Sequence, residues 1–225
     1  MKRTTVRTAA LAVGLATTAV VLTACSSDTD DDAAAPSAPT PVAEAVITPG
    51  ETNPMIAQGV TISAGATVYK TSGLGPTVSN TSAPQGSPES YVASQFAGGE
   101  LPEGVTVTEA QGINVLENIR ANLETQGLTL ADVTTMRVFL DNPPGSDVAD
   151  FGGWNRAYRQ FFANTNLETG ETELVPLGTT EPAAPLERNA ARPTRFALEV
   201  GSLPVPGWLV EVEVDAVYPT DEAVG

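Results

Sequence analysis

An α+β fold, with one sheet carrying both helices on a single face, is predicted for this chain by three observations. Residues 209–217 alternate, with Val210, Val212, Val214 and Ala216 on one face and Glu211, Glu213 and Asp215 on the other. Apolar residues at three- and four-residue steps, from Ala110 through Ile113, Leu116 and Ile119 to Leu123, build the stripe of an amphipathic helix. The segments follow as strand, strand, helix, strand, helix, strand, strand, an order that suits two packed layers.

An export signal is expected ahead of these elements, over residues 1–24. Lys2, Arg3 and Arg7 precede an apolar run, Ala9 to Leu22, that is short for a bilayer span. The run closes on Leu22-Thr23-Ala24-Cys25, which resembles a bacterial lipobox. Cys25 is therefore expected to receive lipid and to anchor the protein at the outer side of the cell membrane. Residues 25–44, acidic and then rich in Ala, Pro and Ser, read as a disordered linker. The domain is expected over 45–220, with a tail at 221–225.

Within the domain, Val60–Ile62 and Thr67–Ser72 are predicted strands, and Gly73 permits a close backbone approach at the turn that follows. A Pro-, Ser- and Gly-rich stretch near 75–107 then leads to the first helix. Thr108 is its expected N-cap, Gln111 the capping-box partner reaching back, and Gly127 its C′ residue. Val133–Leu140 is the third strand. The second helix is expected over 148–162, with Phe151, Trp154, Tyr158, Phe161 and Phe162 as its apolar side and Ser146, Asp147 or Asp150 as its cap. A second irregular stretch near 164–191 precedes the strands Thr194–Val200 and Leu209–Val217. Such long connections serve as functional rims, subunit contacts or disordered excursions.

Composition restricts the chemistry. The 225 residues include 27 Asp and Glu against 11 Lys and Arg, with no histidine and one cysteine. Histidine-based nucleophile systems and His or Cys metal clusters are excluded, no metal or cofactor is expected, and the acidity argues against nucleic acid as a partner. Arginine, carboxylates, hydroxyls and backbone groups remain. Arg195 lies among apolar strand residues, so it must face solvent, pair with one of many acids, or bind an anionic ligand. Glu199 follows it by four residues. Glu211 either holds a water beside an arginine across a cleft or joins Glu213 and Asp215 on a solvated face. On pattern alone, Asn155 and Tyr158 read as surface and core.

The order and spacing of several segments resemble the RidA/YjgF family of enamine/imine deaminases. The segments are 69–73, 114–119, 128–140, Trp154 to Phe162, Arg192-Pro193-Thr194-Arg195, Leu198-Glu199-Val200 and Val210 to Glu213. The resemblance implies a chorismate-mutase-like fold and a homotrimer whose sheets form a central barrel, with ligand clefts between neighbouring subunits. It further implies that Arg195 binds the carboxylate of a 2-imino or 2-enamino acid and that Glu211 positions water or moves a proton, with Gly73 and Asn155 beside the substrate. The expected reaction is hydrolysis to a 2-oxo acid and ammonia. The alternative is a non-catalytic surface lipoprotein that binds a small carboxylate or a protein partner. Two departures make the cleft less polar than is usual in the family: Phe196-Ala197 follow the arginine, and Pro54-Met55-Ile56 stand where a tyrosine is expected.

Overall fold

Alternation in the last strand sets the layers of the structure, a computed structural model that describes residues 42–219. The strands are β1 (Ala43–Val46), β2 (Gly59–Ile62), β3 (Val68–Lys70), β4 (Val133–Leu140), β5 (Thr194–Glu199) and β6 (Val210–Val217). The helices are α1 (Val107–Glu124) and α2 (Phe151–Arg159). Four strands form a mixed sheet in the order β3-β6-β4-β5, with only β4 and β5 parallel. Parallel neighbours need a crossover, and the segment carrying α2 supplies it.

One sheet face is apolar. Met136, Val138 and Leu140 of β4 lie beside Val210, Val212 and Val214 of β6, all fully buried. Against them pack Ile113, Leu116, Ile119 and Leu123 of α1, and Trp154 and Tyr158 of α2 with Phe161 and Phe162 just beyond. Each such side chain contributes about 1.5–3 kcal/mol relative to exposure. The other face carries Arg137, Phe139, Phe196, Leu198 and the acidic row of β6, none of them fully buried.

Helix α1 starts earlier than the capping-box reading placed it. Its N-cap is Thr106, whose Oγ1 accepts from the Glu109 amide at 3.1 Å. Gln111 instead points inward, donating to the carbonyls of Pro88 and Gly207 and accepting from the Leu209 amide, each at 2.8 Å. Gly127, at φ +70°, ends the helix as expected. Asp150 caps α2 through the Gly153 amide at 2.8 Å, so α2 is shorter than the aromatic run that suggested it. Along α1, Asn114, Asn118 and Asn122 recur every fourth residue on one face. They hold the Thr77 carbonyl at 2.9 Å, the Gly75 carbonyl at 3.1 Å and the Tyr69 hydroxyl at 2.9 Å, stitching β3 and the stretch after it to the helix.

Both long connections are ordered by contacts of their own. The first buries Tyr91, Val92, Ala93 and Phe96 in or beside the core. The second is tied down at several points. The Gly178 amide donates to Glu109 Oε1 at 2.9 Å, Arg159 pairs with Glu173 at 2.7 Å, Arg120 with Glu187 at 3.2 Å, and Arg192 Nη2 reaches the Thr165 carbonyl at 2.7 Å.

Three expectations are corrected. The barrel is contradicted: the four-stranded sheet is open, with β3 and β5 at its edges. Closing a sheet requires its edge strands to pair, and here each pairs on one side only. The strand at 60–62 does not join that sheet; it pairs antiparallel with β1 in a separate two-stranded ribbon. The expected location at the outer side of the cell membrane is withdrawn as well; among the described residues no helix is long and apolar enough to cross a membrane. The export segment and Cys25 lie outside the described residues.

Candidate functional site

Register decides which way Arg195 points. It lies opposite Met136, a buried residue of the helix-covered face, so its side chain runs beneath α2. Asn155 and Tyr158, one helical turn apart, meet it there. Arg195 Nη2 donates to Asn155 Oδ1 at 2.7 Å, and the guanidinium carbon stands 4.3 Å from the centre of the Tyr158 ring. Arg195 Nη1 is enclosed and has no acceptor among the described residues. Burial lowers the Arg195 pKa from the usual arginine value, an effect that Tyr158 partly opposes.

The other described arginines differ. Arg120, Arg137, Arg156 and Arg159 pair with acids. Arg192 is buried, yet three of its nitrogens serve four oxygens, those of Pro54, Ala190, Thr165 and Asn53. Arg188 donates to Thr172 Oγ1 and the Gly170 carbonyl at the surface. Among the described residues, Arg195 alone of the arginines keeps a buried guanidinium nitrogen unmet, and an unmet buried donor costs about 1–3 kcal/mol.

Glu211 belongs to the opposite face. The acidic row of β6 is not uniformly solvated: Arg137 pairs with Glu213 at 3.3 Å and with Asp215 at 2.9 Å, and Lys70 adds a second cation to Asp215 at 3.1 Å. The carboxylate of Glu211, lying across from Phe139, is left with no hydrogen bond or ion pair among the described residues. Its carboxylate rests on Gly73. Leu74 and Val212 exchange backbone hydrogen bonds of 2.9 Å, drawing the chain so close that a Cβ on Gly73 would collide with Glu211 Oε1.

The structure brings Arg195 to Asn155 and Glu211 to Gly73, on opposite faces of one sheet. A single copy does not bring the arginine and the acid together. Glu199 is not the partner of Arg195; its Oε2 accepts from the Ala149 amide at 2.9 Å. Tyr158 was not recognised as a neighbour of Arg195 from the sequence. The signal available was its position three residues after Asn155 on one helix. No group of three His, Cys, Asp or Glu side chains that could hold a metal is found among the described residues.

Comparison with known proteins adds a family-level match. The family model described as Endoribonuclease L-PSP matches residues 91–218, a span that includes Asn155, Arg195 and Glu211 but not Gly73. A RutC family protein of Haemophilus influenzae is 37% identical over 70 residues, which is 31% of this chain and 48% of that protein. The chain thus spans about half the length of the curated relative it matches. Among solved structures, E. coli TdcF with bound serine is 25% identical with a TM-score of 0.39, covering 78% of this chain and 99% of that one. The E. coli YjgF gene product is also 25% identical, with a TM-score of 0.39 and coverage of 77% and 98%. Rv2704 of Mycobacterium tuberculosis, of the YjgF/YER057c/UK114 family, is 19% identical with a TM-score of 0.37 and coverage of 78% and 99%.

Proposed function

Since the chain belongs to the RidA/YjgF family, to which the Endoribonuclease L-PSP description applies, we propose that it hydrolyses 2-imino or 2-enamino acids to 2-oxo acids and ammonia. The family supplies the link to deaminase chemistry on C=N bonds. The substrate class rests on one observation: Arg195 is held by a neutral amide and an aromatic face, and its Nη1 is left without an acceptor. A substrate carboxylate would satisfy that nitrogen with a charge-assisted hydrogen bond.

Arg195 holds the carboxylate, and Asn155 holds one of its guanidinium nitrogens in place. An imine carbon, more so when its nitrogen is protonated, is electrophilic enough for water to attack. Glu211 accepts a proton from that water as the new C–O bond forms. The resulting carbinolamine receives the proton on nitrogen, the C–N bond breaks as the hydroxyl proton passes to the Glu211 carboxylate, and ammonia leaves with a 2-oxo acid as the other product. An enamine enters the same sequence after protonation at carbon. RNA is a poor candidate substrate despite the wording of the family description, because 27 acidic residues against 11 basic ones provide no cationic track for phosphates.

The placement of Arg195 and Glu211 on opposite faces supports a cleft built by two copies in a homotrimer, one lending Arg195 with Asn155 and the next lending Glu211 with Gly73. Mixing tests this. Arg195→Ala and Glu211→Gln are each expected to abolish ammonia release from freshly generated 2-iminopropanoate. Co-assembled in equal amounts, they should recover about a quarter of wild-type activity, the share of clefts that draw both intact halves. Full activity in Arg195→Ala overturns the proposal. Absence of turnover in the wild type, with saturable carboxylate binding, favours a receptor instead.

A further inference from the structure

We propose that Tyr158 is a positioning residue for Arg195, its ring setting the plane in which the guanidinium meets a carboxylate. This rests on the carboxylate role proposed for Arg195. A two-pronged grip on a carboxylate requires a defined guanidinium plane, and an arginine side chain brings rotamer freedom that must first be removed. No acid fixes this arginine among the described residues. The single hydrogen bond to Asn155 locates one nitrogen and leaves the plane free to swing about it. The ring 4.3 Å below the guanidinium carbon removes that freedom by an attraction directed at the flat face.

The ring is itself immobilised. Tyr158 is 1% exposed, and it stacks on Phe162 with centroids 5.3 Å apart and planes 9° from parallel. Its hydroxyl donates to the Met55 carbonyl at 2.8 Å, a contact to a distant part of the chain. Placement three residues after Asn155 lets one turn of α2 bring both a hydrogen-bond acceptor and an aromatic ring to the same guanidinium. In this arrangement the aromatic face acts on Arg195 directly, whereas the hydroxyl is a tether for the ring.

The test compares Tyr158→Phe, which keeps the face, with Tyr158→Leu, which removes it, in the full chain. Two readouts are binding of 2-oxobutanoate by titration calorimetry and the kinetics of 2-iminopropanoate hydrolysis. Tyr158→Leu is expected to weaken binding and raise KM at least tenfold with kcat within threefold, and Tyr158→Phe to stay within threefold in all three. A Tyr158→Leu protein that binds like wild type overturns the proposal, as does a Tyr158→Phe protein that loses as much as Tyr158→Leu. The third readout is the Arg195 Nε–H signal in the NMR spectrum of the wild type, assigned by its disappearance in Arg195→Lys. It should be displaced upfield by the ring current, and a position like that of free arginine overturns the proposal even if Tyr158→Leu does not fold. A wild type that neither binds nor turns over overturns the reading of Arg195 instead, while the NMR signal still decides whether the ring holds the guanidinium.

Discussion

Glycine at position 73 is the most economical test of the acidic half of the site. A Cβ there would strike the free end of the Glu211 side chain rather than backbone, so the carboxylate can swing aside without distorting the sheet. Gly73→Ala is therefore expected to lower kcat at least tenfold while the melting temperature changes by no more than about 2 °C, since no buried contact is lost. A large drop in melting temperature with kcat preserved would show that Gly73 serves the strand and not the acid. The contrast with Gly75 is instructive, because a Cβ there would run into the Trp208 ring. In the sequence Arg195 stood out as a cation among apolar residues, yet nothing near it in the chain revealed what it meets. Its contacts depend on which sheet face Met136 occupies and on α2 lying over that face. Glu211, Glu213 and Asp215 were indistinguishable by alternation. Only the register that brings Arg137 and Lys70 beside the last two shows which acid is spared.

Both helices begin at one shared polar contact. Thr106 caps α1 by accepting from the Glu109 amide, and its hydroxyl donates at 2.5 Å to Asp150, the residue that caps α2. Gly153 is needed where the two ends meet, because a Cβ there would collide with both caps. Thr106→Ala and Asp150→Ala should each cost about 1 kcal/mol in urea unfolding, and the double variant should differ from their sum by at least about 0.5 kcal/mol. Strict additivity would mean that the caps act independently. The capping box read at Thr108 and Gln111 shows why this junction was not legible. Thr106 precedes Glu109 by the same three residues, and the choice falls to Gln111, whose side chain is taken by three backbone groups. Elements with strong periodicity, β4 and β6 above all, were legible from pattern alone. The strand β1 was not, because Ala43–Val46 offers little apolar contrast and its partner is a four-residue strand.

Acid response belongs to the molecule as a whole, through carboxylates that link separate elements. Burial would raise the pKa of Asp215, but hydrogen bonds and charge from Arg137 and Lys70 outweigh it and hold the group below its usual range. Glu173 is also held low, chiefly by its hydrogen bond from Arg159, which joins α2 to the second long connection. Both groups bind a proton less readily folded than unfolded. Their stabilisation is therefore present above the unfolded carboxylate range near about 4 and is lost as pH falls through the lowered folded values. Asp215→Asn should melt below wild type at pH 7, with the two melting temperatures converging by about pH 2. A gap that persists unchanged at low pH would remove Asp215 from this account. The strapping of residues 164–191 has a different consequence. A connection anchored through Glu109, Arg120, Arg159 and Arg192 surrenders its conformational entropy when the chain folds. A small molecule or second subunit that docks against it would meet a surface already in place, and its affinity would carry no deduction for ordering that stretch.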